Sequence, residues 1–200
     1  MSPPLIAIDE LKSRPASSAV TDEHPVDVES IVRPASDADV DAIHRLVSEH
    51  ITEGRLLPRS REEIAARIGR FIVAVDDGRV VGCADLAPLS RRIAEVRSLV
   101  VAGGARSCGI GRRLVRDLEK RALVSGFESL TAFTHTPGYF VQLGFSIVPH
   151  TWVPEKIAHD CHSCPLFRNC GQYAVVLEVS NVERSSSVRR TVGERSPVNV

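Results

Sequence analysis

The chain has 200 residues, 43% of them hydrophobic and 25% charged, and its 25 Lys plus Arg balance 25 Asp plus Glu. That suffices for one globular domain with its own core, and the even charge gives no footing for a nucleic-acid partner or an anionic membrane surface. No apolar run approaches a membrane span and the N-terminus fits neither an export signal nor a transit peptide, which points to a cytoplasmic protein whose five cysteines are thiols or ligands rather than a disulfide framework. Residues 1–29, acidic and rich in Pro and Ser without a period, read as a disordered arm, and residues 181–200 as a disordered, mildly basic tail. The domain is expected over 30–180. Ser30 to Pro34 predicts a strand. Ser36 with Asp39 forms a capping box before Val40, Ile43, Leu46, Val47 and His50 at helical spacing, and Ser60 with Glu63 opens a second helix through Ile64 and Ile68. His50 reads as packing or solvated there. Phe71–Val75 and Val80–Leu86 flank Asp76-Asp77-Gly78-Arg79, the composition of a tight hairpin.

Ile93 to Ala102 predicts another strand, and simple alternation sets Ile93, Glu95, Arg97 and Leu99 on one face. Leu114, Val115, Leu118, Ala122 and Leu123 then make the apolar stripe of an amphipathic helix that Gly126 ends. Strands at Ser129–Phe133, Phe145–Val148 and Gln172–Val179 and a short helix over Pro137–Leu143 complete the pattern, with a Cys-bearing loop (159–170) before the last strand. This is an α/β layered domain.

Between strand and amphipathic helix runs Gly103-Gly104-Ala105-Arg106-Ser107-Cys108-Gly109-Ile110-Gly111-Arg112-Arg113. Free amides and the positive dipole end of a helix start make an anion site, and glycines let a phosphate approach the backbone, so a diphosphate is the natural guest. The spacing matches neither the dinucleotide nor the phosphate-loop fingerprint.

Arg106-Ser107-Cys108-Gly109-Ile110-Gly111, with its strand before and helix after, resembles the pyrophosphate loop of the GNAT superfamily of acetyl-CoA-dependent N-acetyltransferases. The resemblance implies the GNAT α/β fold, a mixed, mostly antiparallel twisted sheet flanked by helices. It further implies that the backbone of Leu99, Val100 and Val101 pairs with the pantetheine arm of acetyl-CoA, while Arg106, Ser107, Gly109, Ile110, Gly111, Arg112 and Arg113 hold the diphosphate. Leu56-Leu57-Pro58-Arg59-Ser60, Ile93 to Val101, Pro154-Glu155-Lys156-Ile157 and Asp160-Cys161-His162-Ser163-Cys164-Pro165-Leu166-Phe167-Arg168-Asn169-Cys170 more narrowly resemble the acetyltransferase domain of bacterial N-acetylglutamate synthase, here as a short form without its kinase-like domain.

Amine attack on a thioester needs a base, in-line positioning and donors for the developing oxyanion. Glu95 is the candidate base, with a Glu95–Arg97 ion pair as the bland alternative. Many GNAT members place a proton-donating Tyr where this chain has Phe140, leaving Tyr139, one position off, Thr136 or a water for that role. If L-glutamate is the acceptor, its carboxylates require cations, for which Arg59 and Arg97, with Arg55 and Lys156 behind them, are the candidates. Another small amine, a protein N-terminus, or a non-catalytic CoA-sensing module are the alternatives, and a homo-oligomer is left open. Cys161, Cys164 and Cys170 with His159 or His162 offer zinc ligands, but the second ligand pair of strong zinc modules is absent, so packing thiols or a redox-sensitive loop is preferred and no metal is expected.

Overall fold

In a computed structural model, residues 30–51, 58–164 and 166–179 are described. Arg55 and the two terminal segments lie outside the described residues. A short strand β1 (Ile31–Pro34) leads through a tight turn into α1 (Val40–Ile51), and α2 (Arg61–Ala65) precedes the hairpin β2 (Phe71–Asp76) and β3 (Arg79–Pro88). Next come β4 (Ile93–Val101), α3 (Ile110–Val124), β5 (Ser129–Thr134), α4 (Pro137–Val141), β6 (Ser146–Val148), α5 (Pro154–His159) and β7 (Tyr173–Glu178). The seven strands form one sheet in the order β1-β2-β3-β4-β5-β7-β6, antiparallel throughout except between β4 and β5. No described helix is long and apolar enough to cross a membrane.

Local chemistry accounts for most of these boundaries. Both capping boxes form, at Ser36–Asp39 and Ser60–Glu63, each offsetting amides a helix start leaves open and worth about 1 kcal/mol. Asp39 does more than cap: it accepts two hydrogen bonds from Arg33, at 2.7 and 2.8 Å, tying β1 to the start of α1. The β2–β3 turn needs two residues with positive φ, and Asp77 (φ 44°) and Gly78 (φ 71°) supply them. The sheet is buried on both faces. On one, Leu114, Leu118 and Ala122 of α3 pack against Ile72, Ala94, Val96 and Leu130; on the other, Ile43 and Val47 of α1 and Ile64 of α2 pack against Val73, Cys83 and Val100.

Three expectations change. The second helix stops at Ala65, and a separate 3-10 turn over Ile68–Arg70 carries the chain into β2. A helix, α5, occupies the stretch before the cysteines, where six residues opened by a proline show too little periodicity to announce it. Most consequential is Ser98, whose φ of 48° places it in the left-handed region. It inserts an extra residue into β4, so Cys83 opposes Val100 while Asp85 opposes Arg97. The alternation resets there, and Leu99 packs with the α3-side core rather than sharing the face of Glu95 and Arg97. Parallel pairing with β5 is short: β4 meets β5 only from Ile93 to Glu95, beyond which β5 stays on β7 and β4 on β3. The two strands part and leave one edge of β4 open.

Candidate active site

A cavity of about 520 Å³ fills the gap between the parted strands, and Leu99, Val100 and Val101 border it along that open edge. Its mouth is the start of α3. Ser107 (φ 68°) and Gly109 (φ 74°) turn the backbone there, and Ile110, Gly111 and Arg112 occupy the first helical positions, whose amides have no carbonyl one turn earlier to reach. The ladder begins at Arg113, whose N–H bonds the Gly109 carbonyl at 3.1 Å. Arg113 is therefore not part of the mouth: its amide is used, and its guanidinium turns to Ser30, reaching the carbonyl at 2.8 Å. Arg106 and Arg112 are exposed at the rim, Arg106 through an Nε donor 3.2 Å from the Val101 carbonyl. Tyr139 of α4 closes the far side, its hydroxyl 2.6 Å from where a Gly111 Cβ would stand. Burial raises that phenol, with Arg112 opposing. Thr136 also lines the cavity, its N–H donating to Thr134 Oγ1 at 3.0 Å.

Deeper in, β4 and α5 bring four charged groups together. Glu95 is 3% exposed. Its Oε1 accepts from Lys156 Nζ at 2.7 Å, and its Oε2 accepts from Arg97 Nε at 2.5 Å and Lys156 Nζ at 3.0 Å. Asp160, just past α5, takes both cations on one oxygen, from Lys156 at 2.8 Å and from Arg97. Lys156 also stands 5.1 Å over the Phe133 ring. Burial works against the Arg97 charge, but Glu95 and Asp160 keep its guanidinium above the ordinary value. Burial pushes the Asp160 carboxyl up, and the Lys156 hydrogen bond with the charges of Lys156, Arg97 and Arg59 outweighs it, so the group sits below its usual range. On β3, opposite Arg97, Asp85 is raised by burial despite two 3.0 Å hydrogen bonds from Arg70. The cluster is neutral as a set, and buried cations and carboxylates persist only when so matched.

Arg59 borders the same cavity, half-buried, with no hydrogen bond or ion pair among the described residues. The structure thus brings Glu95, Arg97, Lys156, Arg59, Tyr139 and Thr136 to one cavity. Two residues that were not site candidates join them: His50 lines the cavity, and Asp160 completes the charge network with Arg97 and Lys156. Asp160 sits 63 positions from its partner Arg97, a distance no local pattern bridges. His50 carried a signal, since it continues the buried i, i+3, i+4, i+7 stripe of α1 with a polar ring. The cysteines, all free thiols, and the neighbouring histidines form no group able to hold a metal among the described residues.

Residues 40–145 match the family described as the acetyltransferase (GNAT) family. An uncharacterized N-acetyltransferase of Chlorobaculum tepidum is 36% identical over 148 residues, covering 74% of this chain and 96% of that protein. An amino-acid acetyltransferase of Ralstonia nicotianae is 34% identical over 116 residues, but this chain spans only 26% of its length and 57% of its own. Among solved structures, N-acetylglutamate synthase from Neisseria gonorrhoeae, complexed with coenzyme A and N-acetyl-glutamate, superposes with a TM-score of 0.70 at 27% identity, covering 76% of this chain and 35% of that one. A Mycobacterium tuberculosis protein in complex with CoA shares the fold, with a TM-score of 0.66 at 23% identity over 74% of this chain and 98% of that one.

Proposed function

The chain belongs to the GNAT acetyltransferase family, and from that premise we propose that it transfers the acetyl group of acetyl-CoA to the α-amine of L-glutamate by direct attack, the opening reaction of arginine biosynthesis. One observation carries the reading: a single cavity joins the amide-lined mouth of α3 to three cations, Arg97 and Lys156 bonded to the buried Glu95 and Arg59 on the cavity wall. The mouth fits an anionic diphosphate, since open amides, positive-φ backbone and the rim guanidiniums of Arg106 and Arg112 converge on it. The open edge of β4 offers backbone groups to the amide-bearing pantetheine arm.

The acceptor is held by charge. Arg59 receives one carboxylate, and the second competes with Glu95 and Asp160 for Arg97 and Lys156. Such competition has a chemical consequence. Both Glu95 oxygens are taken by cations, so an acceptor carboxylate that draws Lys156 away leaves Oε1 free to take a proton from nitrogen. Tyr139 and Thr136 are the hydroxyls placed to return a proton to the departing thiolate.

A thiol-release assay with acetyl-CoA and each common amino acid tests this. Glutamate-selective release is expected, with Glu95→Gln lowering kcat by ~10²–10⁴-fold and Arg59→Ala raising the glutamate KM far more than the acetyl-CoA KM. Equal release with every amino acid, or unchanged turnover in Glu95→Gln, contradicts it. Support comes from the amino-acid acetyltransferase of R. nicotianae and from the N. gonorrhoeae synthase.

A further inference from the structure

We propose that His50 is the proton acceptor that converts the incoming ammonium to the nucleophilic amine, a role separate from that of Glu95; the inference rests on the acetyl-transfer reading above.

Proton balance creates the need. A free α-amino group arrives as an ammonium with three N–H bonds, and the amide product keeps one. Two protons must leave nitrogen. The thiolate of coenzyme A takes up one, and the other goes to solvent. The first has to leave before attack, because an ammonium has no lone pair with which to form the new C–N bond. Glu95 accounts for only one of the two: the oxygen that a bound acceptor frees by drawing Lys156 away takes a single proton, while Arg97 keeps the other oxygen. It suits the second proton, lost as the C–N bond forms, while the hydroxyl of Tyr139 or Thr136 protonates sulfur as the C–S bond breaks and is itself reprotonated from Glu95.

His50 fits the first. It ends the buried stripe of α1, after Ile43, Leu46 and Val47, where α1 reaches the cavity wall, and it lines that cavity with Arg59 and Glu95. Its Nδ1 lies 2.8 Å from the Leu46 carbonyl, one helical turn back. A carbonyl oxygen only accepts, so Nδ1 carries the hydrogen and the basic nitrogen of the neutral ring is Nε2. Nε2 has no hydrogen-bond partner among the described residues. The helix thus fixes both tautomer and ring orientation through its own backbone, a task a carboxylate performs in many proton-transfer sites. The other histidine on the cavity, His135, is exposed and has no carbonyl fixing its tautomer among the described residues, and His150, outside the lining, has its Nε2 2.9 Å from the Gln172 carbonyl. The proton on His50 has a short route out, because the side chain is only partly buried.

The test uses two substitutions in the full chain. His50→Asn keeps a donor where Nδ1 stands, preserving the bond to Leu46, and deletes Nε2; His50→Ala removes both and leaves room for a free imidazole. If His50 takes the first proton, both variants lose ~100-fold in kcat with acetyl-CoA and glutamate KM values little changed. His50→Asn keeps the wild-type thermal midpoint. Added imidazole restores saturable turnover to His50→Ala and does nothing for Glu95→Gln. Turnover of His50→Asn within about twofold of wild type, or a folded, slow His50→Ala that imidazole does not rescue, overturns the assignment while leaving acetyl transfer intact. A wild-type protein that releases no thiol with any amino acid overturns both.

Discussion

A methyl group added at Gly111 would stand 2.6 Å from the Tyr139 hydroxyl and 3.5 Å from the ring carbon that bears it. The first distance forces a displacement and the second is an ordinary contact. Gly111→Ala is therefore expected to raise the acetyl-CoA KM by pushing Tyr139 out of the α3 mouth, and the same change in a Tyr139→Phe background should cost much less, because the obstructing oxygen is gone. Steady-state KM values for the four proteins of this cycle check it; equal costs in both backgrounds would mean that the methyl group acts on the cofactor rather than on Tyr139. The residue scale also shows what sequence conveys about a site and what it withholds. Glu95, Arg97 and Lys156 were legible as chemistry, a carboxylate and two cations in segments that resemble family motifs. Their closure into one network with Asp160 was not, because it joins positions 61 and 63 apart. Arg113 differs: the family resemblance implies it at the diphosphate, and only the helical ladder shows that its amide is already used.

At the scale of elements, the features set by neighbouring residues were readable and the one set by a strand's partners was not. Both capping boxes, the Asp77-Gly78 turn and the α3 stripe depend on spacings of four residues or fewer, or on one periodic face. The bulge at Ser98 depends on β3 and on the divergence from β5, while Val96 to Val101 reads as an uninterrupted strand. It lies where β4 borders the cavity, and its part in holding the gap open can be tested through its backbone conformation. Serine tolerates φ near 48° at some cost, glycine at almost none, and a β-branched residue poorly. Ser98→Val should lie about 1–2 kcal/mol below Ser98→Gly in stability, measured by urea midpoints. Its acetyl-CoA turnover should fall as the strand strains to keep the gap. Indistinguishable midpoints would show that Ser98 can leave the left-handed region without penalty, and that the bulge is not what parts the strands.

Across the whole molecule, the sheet has a core on each face, and β4 contributes to both, Val96 toward α3 and Val100 toward α1. A strand shared in this way couples the α1–α2 layer to the α3 layer, so the molecule should open as one unit. Cys83 reports on that coupling. It is fully buried in the α1-side core, its thiol 3.5 Å from the Ser98 carbonyl, and burial, reinforced by Asp85, pushes it up to about 12. Essentially no thiolate exists at neutral pH, and reaction requires both exposure and restoration of the ordinary thiol environment. Cys108 and Cys170 are exposed. With excess aromatic disulfide under native conditions, those two should react in the first phase and Cys83 only at the rate of global unfolding, a rate that Ser98→Val should raise in step with its lost stability. Labelling of Cys83 faster than loss of the far-ultraviolet circular dichroism signal would mean that α1 and α2 lift from the sheet while α3 stays docked. His50 and Arg59 belong to that lifting layer, whereas the α3 mouth does not. In that case the acceptor end of the cavity would open independently of the cofactor end, and acceptor affinity would vary with stability of the α1 layer while acetyl-CoA affinity would not.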